Sequence, residues 1–564
     1  MIRTQNPSHL NEILCILAVL ALCFTGIIGH DLWTPDEPRE AAISLEMSQT
    51  GNILVPHLAG APFVEKPPLY YIATSFMLKI LGPITGNTAA IRFCTVFFGL
   101  GVLLMTFLLG RDIGGHNVGV FSAVFLGSME GFVENFHWIR VDAALSFFVI
   151  AAVVCLVKIY HNDKYHFAPL AGLCLAGSFL SKGIIGPVLI AVPWLVLLVE
   201  RTIRHKQEKI SYVPFVLYHV LLFIVFVCLC ASWIIPFYFK GGNALWHEWF
   251  WVNHVERFTG TAIEKGHIIK GQPLYYVIQL LAYGIPWSPL ILFWFYSVVK
   301  QILKHKHLGK GDLFIFLWGT LSMILLTVSA TKRGIYLTPV LPAYAIMVAL
   351  SLTRGIPHWF KPYAVFWTAF SLALIVFITF CPFMTAILPK SIPPRILESL
   401  SDFGYFNILS LTGLLASLIL IFKYRDMFTM ESILVFVTAV LYISLLGSPM
   451  KAIDQGKSME SDIKNFVSQI PESERPHIAG VDLNETTVAC LSYYGDLKVP
   501  IITDKQKIDS ILAGKDGTFD SLMINTRSRT GDDMNLSDAP YRVIAKTVTG
   551  TDRALYLIKG ENGN

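Results

Sequence analysis

Residues 88–110 read TAAIRFCTVFFGLGVLLMTFLLG, a run that holds a single charged side chain, Arg92. A helix needs about 20 predominantly apolar residues to cross the hydrocarbon core of a bilayer. Comparable runs recur along the 564 residues, of which 54% are hydrophobic and only 15% charged. Ordinary soluble domains carry about 25% charged residues. The sequence therefore predicts a polytopic membrane protein.

The apolar runs are expected to be helices, because a backbone inside lipid must satisfy its hydrogen bonds within its own segment. A membrane barrel would instead show short alternating segments. We predict a mainly α-helical fold with about thirteen transmembrane helices and interfacial helices in the first outer loop, one of them in 67–81. The predicted spans are 12–30, 88–110, 117–135, 139–158, 167–181, 184–200, 213–236, 273–297, 312–329, 334–352, 360–386, 403–422 and 431–448.

Basic residues are concentrated in alternate loops, and this sets the expected orientation because cytoplasmic loops carry the excess of Lys and Arg. With a cytoplasmic N-terminus, every inner loop is basic and the long loops 31–87 and 237–272 lie outside. The odd number of spans then places the C-terminal tail on the outer side. The basic residues of the inner loops include Arg111, Lys158, Lys164, Arg201, Arg204, Lys300, Lys304, Arg354, Lys361, Lys423 and Arg425.

The composition turns polar from Asp454 onward. Short β-prone runs alternate there with helical or turn segments such as 505–512, which is typical of a small soluble α/β domain. The runs are 477–483, 499–503, 519–524, 541–549 and 554–558. We therefore predict two domains, a transmembrane domain in 1–453 and an outer α/β domain in 454–564. No run of Lys and Arg interleaved with aromatic residues indicates nucleic-acid binding.

Ionisable residues from distant parts of the chain fall at the outer ends of the predicted spans. Such groups are costly at the membrane boundary unless they face water or serve a site. Their convergence on one face predicts a single outer site. The residues are Asp36, Glu37, Arg39, Glu65, Lys66, Asp142, Lys182, His254, Glu256, Arg257, Lys332, Arg333 and Tyr336.

Each of these residues also has a structural interpretation. Thr34 could be a helix N-cap with Pro35 at the first helical position and Glu37 closing a capping box. Lys66 and Lys182 could extend along apolar surface to reach water. Asp142 could form an ion pair with Arg140, His254 could be a packing residue, and Lys332 with Arg333 could bind lipid headgroups.

Short motifs occur in order from Asp36 to Tyr336. Together they resemble the bacterial lipid-carrier-dependent glycosyltransferases of the glycosyltransferase C superfamily, whose relatives include protein O-mannosyltransferases and the aminoarabinose lipid A transferase. The chain departs from the aminoarabinose enzymes at Pro38, Glu40 and 68–71, which leaves the sugar open. The motifs include Asp36-Glu37-Pro38-Arg39, Glu65-Lys66-Pro67, Arg140-Val141-Asp142, Ser181-Lys182-Gly183, His254-Val255-Glu256-Arg257 and Thr331-Lys332-Arg333-Gly334-Ile335-Tyr336.

The resemblance implies roles for these residues. Asp36, on the acceptor side, and Asp142 are the expected catalytic carboxylates. A departing phosphate needs fixed positive groups nearby, and the residues available are Lys66, Lys182, Arg257 and Arg333. Glu37, Arg39 and Tyr336 are expected to bind substrate. Some relatives hold a divalent metal ion at positions that match Glu65 and His254, and no nucleotide is expected.

The implied activity moves a sugar from a polyprenyl-phosphate carrier to an envelope acceptor at the periplasmic face of the bacterial inner membrane. Inversion at the anomeric carbon is expected by the same resemblance. Lipid A is the favoured acceptor, and protein O-glycosylation is the alternative. A lipid-linked sugar transporter or flippase is an alternative from another class. It is less favoured, because transporters place their site near the bilayer midplane between repeated halves.

Overall fold

The structure is a computed structural model of the whole chain. It describes residues 9–208, 213–256, 259, 272–353, 355–384, 403–424, 427–447, 449–526, 541–549 and 553–560.

Helices dominate the described part of the chain. The predicted first outer loop, 31–87, holds α2, Asp36–Thr50, a two-stranded ribbon of β1, His57–Leu58, and β2, Ala61–Pro62, and then α3, Leu69–Thr85. The other helices as far as the C-terminal sheet are His9–Phe24 (α1), Asn87–Gly114 (α4), His116–Gly127 (α5), Glu130–Phe136 (α6), Asp142–Asn162 (α7), Ala168–Lys182 (α8), Ile185–Glu208 (α9), Val213–His247 (α10), Tyr275–Tyr283 (α11), Ser288–Leu303 (α12), Lys310–Val328 (α13), Leu341–Thr353 (α14), Phe360–Met384 (α15), Tyr405–Phe422 (α16), Met430–Gly447 (α17), Met450–Lys457 (α18) and Glu460–Ser468 (α19).

Each of the thirteen predicted spans coincides with at least one of these helices. Within the described residues, nine helices are long and apolar enough to cross a membrane, which confirms a mainly helical, multi-pass membrane protein. Helices α1, α5 and α12 are apolar but shorter, and so is α3, which was predicted to lie at the interface.

Two predicted spans, 117–135 and 273–297, are each interrupted in the structure. The first divides into α5 and α6, and the second into α11 and α12. The two interruptions contact each other: the Glu130 amide donates to the Ile285 carbonyl at 3.0 Å, and Trp287 Nε1 donates to Ser128 Oγ at 3.0 Å. Irregular backbone at membrane depth is tolerated where other protein segments satisfy its polar groups. Hydropathy alone does not reveal such a break.

Helix α7 lies at the centre of the bundle. Small and branched side chains such as Ala143, Val149 and Val153 are buried on all its faces, which is the pattern of a fully enclosed helix. It packs against α4 and α8. Its enclosure fixes the position of Asp142, the first residue of the helix.

The predicted capping box at the start of α2 was wrong. The helix begins at Asp36, and the N-cap position is Pro35, with no side-chain cap. Thr34 Oγ1 instead donates to the Lys457 carbonyl at 3.1 Å, far along the chain. Glu37 still bonds a backbone amide near the helix start, that of Trp33 at 2.8 Å.

The C-terminal segment contains a four-stranded sheet in the order β3-β4-β6-β5, where β3 is Ile478–Val481, β4 is Ser521–Thr526, β5 is Tyr541–Thr549 and β6 is Arg553–Gly560. Strands β3 and β4 are parallel, and the other pairs are antiparallel. Helices α20, Glu485–Gly495, and α21, Lys505–Leu512, belong to the same segment. Four β-prone runs are strands as predicted, whereas 499–503 contributes only a bridge between Ile501 and Gly480.

The C-terminal segment packs directly on the predicted first outer loop. Val488 and Ala489 share an apolar core with Leu32 and Tyr70. The Leu32 amide donates to the Tyr494 hydroxyl at 3.0 Å, 462 positions along the chain. At the other end of α20, Thr486 Oγ1 donates to the Pro35 carbonyl at 3.5 Å, which brings the start of α20 to the start of α2, where the predicted site residues lie.

Candidate active site

The first turn of α2 presents three ionisable side chains on one face. Asp36, Arg39 and Glu40 are spaced i, i+3 and i+4, so they are neighbours on a helix surface. Arg39 Nη2 lies 3.4 Å from Asp36 Oδ1 and 3.2 Å from Glu40 Oε1. Glu37 falls outside this spacing and points elsewhere.

Asp36 is held by arginines from two parts of the chain. Besides Arg39, Arg333 Nη2 donates to Asp36 Oδ2 at 2.7 Å, across 297 positions. Burial acts to raise the pKa of Asp36, but the charges of Arg333 and Arg39 outweigh it and hold that pKa below its ordinary value. Asp36 is therefore ionised near neutral pH.

Glu40 organises a second set of contacts. Its buried carboxylate accepts hydrogen bonds from Lys66 Nζ and, at 2.5 Å, from the Tyr71 hydroxyl. Burial opposes ionisation of Glu40, but Lys66 and Arg39 lower its pKa below the ordinary value. Lys66 is thus paired inside the protein rather than extended towards water.

Asp142 and Lys182 form a third pair. Lys182 Nζ donates to Asp142 Oδ1 at 2.5 Å and lies 4.8 Å from the centre of the Tyr336 ring. The predicted Arg140–Asp142 pair is not present in the described structure: Arg140 Nη1 donates to Asn135 Oδ1 at 2.7 Å. Asp142 and Lys182 thereby bring the ends of α7 and α8 together.

All three sets of contacts line one cavity of about 580 Å³. Asn484 and Thr486 of the C-terminal segment form part of its wall. Of the predicted site residues, the cavity collects Asp36, Arg39, Glu65, Lys66, Asp142, Lys182, Arg333 and Tyr336.

A second cavity, of about 340 Å³, adjoins the first. Both are lined by Glu65, Lys66, Lys182, Thr331 and Tyr336. The rest of the second cavity is mostly apolar, with walls from Ile184, Ile185, Val188, Leu325 and Leu326. Two lysines therefore stand where a polar chamber meets an apolar one.

Glu37, predicted to bind substrate, does not line either cavity. Its side chain is 4% exposed and pairs with Arg92, which is fully buried, at 2.9 Å. Glu37 also accepts from the Ile139 amide at 2.9 Å, next to the Arg140-Val141-Asp142 motif. Burial acts to raise the pKa of Glu37, but Arg92 lowers it below the ordinary value. Glu37 therefore lies outside the cavities and stabilises the backbone next to the site.

The two predicted metal ligands both line the second cavity. His254 Nδ1 lies 2.7 Å from the Trp249 carbonyl, a contact that orients the imidazole ring. A zinc ion bound by proteins usually has three or four side-chain ligands, whereas magnesium is often held by one or two carboxylates together with water and substrate phosphates. No group of three His, Cys, Asp or Glu residues with metal-binding geometry occurs in the described ranges. Glu65 and His254 would therefore need substrate oxygens or water to complete a coordination shell.

Several residues of the site were not predicted from the sequence. The helical spacing from Asp36 could have identified Glu40, whereas no sequence signal indicates Asn484, Glu485 or Thr486. Arg140, whose motif was recognised, lines the main cavity. Lys332, for which binding of lipid headgroups was the structural alternative, is buried and donates to the Thr327 and Ser329 carbonyls at the end of α13. Arg257 lies outside the described residues.

Comparison with known proteins gives related sequences. The profile of the dolichyl-phosphate-mannose-protein mannosyltransferase family matches residues 12–251. An undecaprenyl phosphate-alpha-4-amino-4-deoxy-L-arabinose arabinosyl transferase from Enterobacter sp. (strain 638) is 26% identical over 403 residues, 68% of each chain. Another, from Proteus mirabilis (strain HI4320), is 28% identical over 353 residues, which cover 61% of this chain and 60% of that protein.

Solved structures share the fold. The crystal structure of ArnT from Cupriavidus metallidurans bound to undecaprenyl phosphate superposes with a TM-score of 0.72 at 16% identity, covering 98% of both chains. The archaeal oligosaccharyltransferase AglB from Archaeoglobus fulgidus, in complex with an inhibitory peptide and a dolichol-phosphate, gives a TM-score of 0.50 at 12% identity. That match covers 92% of this chain and 69% of AglB. The first match includes the C-terminal segment as well as the helical bundle.

Proposed function

We propose that this chain transfers a sugar from a polyprenyl phosphate to an envelope acceptor. The relatives confirm its predicted resemblance to the lipid-carrier-dependent glycosyltransferases of the glycosyltransferase C superfamily. The names of the related transferases support undecaprenyl phosphate as the carrier and aminoarabinose as the sugar. The resemblance to the aminoarabinose lipid A transferase favours lipid A as the acceptor. The donor is a lipid-linked sugar, and no nucleotide takes part.

The junction between the two cavities is the observation that carries this proposal. A polyprenyl-phosphate sugar has an anionic phosphate between a polar sugar and an apolar chain. Lys66 and Lys182 stand at the junction of a polar and an apolar chamber, where they can bind such a phosphate. The chain would enter the apolar side, along Ile185 and Val188, and the sugar would lie on the polar side.

Lys66 and Lys182 stabilise the negative charge that develops on the departing phosphate. Each is already fixed by a carboxylate, Glu40 or Asp142, so little reorganisation is needed during the reaction. Arg333 contacts Asp36 and lines only the polar cavity of the two, so its positive charge acts on the sugar and acceptor side. Arg257 remains a predicted phosphate ligand.

Asp36 faces the acceptor. An acceptor oxygen attacks the anomeric carbon, the bond from that carbon to the phosphate oxygen breaks, and polyprenyl phosphate departs with the electron pair. A hydroxyl acceptor passes its proton to Asp36, which is ionised and available as a base. A phosphate acceptor is already anionic, so Asp36 then orients the acceptor through Arg333 and Arg39. Attack opposite the leaving phosphate inverts the anomeric configuration.

A protein acceptor is the second candidate. The family profile that matches residues 12–251 is named for protein mannosyltransferases, which supports this alternative. The flippase alternative gains no support, because the charged residues line a cavity at the ends of the helices. Asp142, which pairs with Lys182, is for example the first residue of α7.

We place the cavity on the periplasmic face of the inner membrane, with both termini as predicted. Asp142 at the start of α7 lines the cavity, whereas Lys158 near its end pairs with Asp112 at 2.6 Å beside the basic loops. Helices rise about 1.5 Å per residue, so α7 is long enough to separate these faces by the thickness of a bilayer. Thirteen crossings, a 1–453 membrane domain and a 454–564 periplasmic domain belong to this proposal.

Transfer by the purified full-length protein tests the function. We expect undecaprenyl-phosphate aminoarabinose and lipid A to give a lipid A product of increased mass, detected by mass spectrometry. Asp36→Asn and Lys66→Ala should each lower turnover by about 10²-fold or more. Lys79→Ala, an exposed lysine of α3 outside the two cavities, is the matched control. Near-normal turnover in both site variants would reject the proposal. Product on envelope proteins but not on lipid A would favour the protein acceptor.

A divalent metal at Glu65 and His254 is a separate proposal. The ion would supply positive charge near the donor phosphate, and substrate oxygens would complete its ligand set. We expect chelation to lower turnover and a divalent ion to restore it, with less metal bound by His254→Ala in equilibrium dialysis. Full turnover after chelation, together with equal amounts of metal bound by His254→Ala and by the wild type, would reject this role.

A further inference from the structure

Arg39 is paired with carboxylates from two different parts of the chain. Its Nη2 contacts Asp36 and Glu40 of its own helix. Its Nη1 donates to Glu485 Oε2 at 3.0 Å, across 446 positions. Glu485 is the first residue of α20, so the C-terminal segment brings a negative charge to the wall of the polar cavity.

The exposure of these carboxylates differs. The Glu40 side chain is 3% exposed and that of Asp36 24%, whereas that of Glu485 is 52% exposed. An ion pair with one half-exposed partner is weak, because water competes for the charged groups. Glu485 is therefore the partner of Arg39 that another anion can replace most readily.

The C-terminal segment does not need Glu485 to stay in place. Lys498 pairs with Glu46 at 2.9 Å, and Tyr493 bonds Thr88 at 3.0 Å. The apolar contact of Val488 lies one helical turn from Glu485. A substitution at Glu485 can thus alter the cavity wall while the segment remains docked.

Of the two cavities, Arg39 and Glu485 line only the polar one. The donor phosphate belongs at Lys66 and Lys182, which line both cavities. An anion that reaches Arg39 therefore comes from the acceptor. With Glu485 counted, the cavity lining carries as many carboxylates as basic side chains, so an additional anion is accommodated best when Glu485 moves away.

We propose that Glu485 is a displaceable counter-ion of Arg39, and that a phosphate group of the acceptor takes its place when the acceptor binds. The inference rests on the proposed function and deepens it, since it assigns the acceptor to the phosphate-bearing class. Glu485 is a specificity-determining residue that acts through Arg39.

Acceptor kinetics of the full-length protein test this inference. Glu485→Gln keeps an amide oxygen near Arg39 but removes the charge, so it should lower the KM for phosphorylated lipid A about two- to fivefold. The donor KM and the kcat at saturating acceptor should not change. A purely structural role would raise the acceptor KM or lower kcat. Glu485→Ala should change the acceptor KM in the same direction, and Glu460→Gln, on α19 outside the cavities, is the matched control.

Equilibrium binding separates this inference from the proposed function. Glu485→Gln should bind phosphorylated lipid A more tightly than the wild type, with unchanged affinity for phosphatase-treated lipid A. An unchanged or weaker affinity for phosphorylated lipid A in both Glu485 variants, with a normal melting temperature, would overturn the inference. Absence of transfer by the wild type would reject the proposed function, while this binding comparison would still decide the role of Glu485.

Discussion

The pairing of Asp142 with Lys182 makes a quantitative prediction about catalysis. The family resemblance implies that Asp142 is a catalytic carboxylate, yet its Oδ1 accepts from Lys182 Nζ at 2.5 Å. The two side chains are 7% and 16% exposed, so the bond is largely shielded from water. If Asp142 acts by positioning Lys182 for the donor phosphate, its effect must disappear when Lys182 is absent.

A charge-assisted hydrogen bond of this kind contributes about 1.5–3 kcal/mol, which corresponds to about ten- to 150-fold in rate. We expect Asp142→Asn to lower kcat by that factor, and Lys182→Met to lower it by at least as much. In the double variant, Asp142→Asn should add less than about twofold, because interacting residues are not additive. The assay is transfer from undecaprenyl-phosphate aminoarabinose at saturating donor and acceptor.

The pair of Asp112 and Lys158 provides the control. Its atoms are 2.6 Å apart and its side chains are 12% and 11% exposed, similar to the site pair, but it lies near the other end of α7. Asp112→Asn should leave kcat within about twofold of the wild type once the folded fraction is matched by thermal unfolding. If Asp142→Asn lowers kcat by the same factor with and without Lys182, Asp142 acts on the substrate directly, and it does not act by positioning Lys182.

Three further outcomes follow from the described contacts. The pKa of Asp36 lies below its ordinary value of 3.8, so its carboxylate stays ionised above that pH. The contribution of Asp36 to stability is therefore complete above the pKa of the unfolded state. It is lost only as the pH falls through the lower pKa of the folded state. Turnover should therefore show no acid limb from Asp36 above about pH 5, and a limb that Asp36→Asn abolishes would refute this. Glu37→Gln leaves the buried Arg92 without its charged partner and should destabilise the fold by about 3–5 kcal/mol, seen as a lower melting temperature in detergent; an unchanged melting temperature would contradict the buried pair. Gly183→Ala places a Cβ 1.8 Å from His254 Nε2 at a φ of +70°, so it should displace His254 and lower turnover; wild-type turnover would show that His254 is not needed where it lies.

The sequence predicted the helical segments well, because hydropathy reports directly which segments can lie in lipid. It failed where polar groups of two segments satisfy each other. The break after Gly127 is stabilised by the backbone near Ile285, more than 150 positions away, and no local pattern reveals that partner.

For the site, the sequence identified which residues converge but not how they pair. Lys66 and Lys182 look alike in sequence, yet they are held by carboxylates from different helices, Glu40 and Asp142. Glu37 lies beside Asp36 in the sequence, but the turn of the helix directs it to Arg92 and away from the cavity. Side-chain direction depends on tertiary packing, so adjacency in a motif did not separate the supporting residue from those that line the cavity.

The wall contributed by residues 484–486 has a consequence for biogenesis. Residues 31–39 leave the ribosome before any of the later helices, whereas their partners are synthesised more than 400 positions later. Asp454 accepts from Trp33 Nε1 at 2.7 Å, and Glu485 accepts from Arg39. A nascent chain with its whole bundle inserted would still lack one side of its reaction chamber. Premature release of the chain before 454 would therefore yield a helical bundle whose polar cavity lacks the wall formed by residues 484–486.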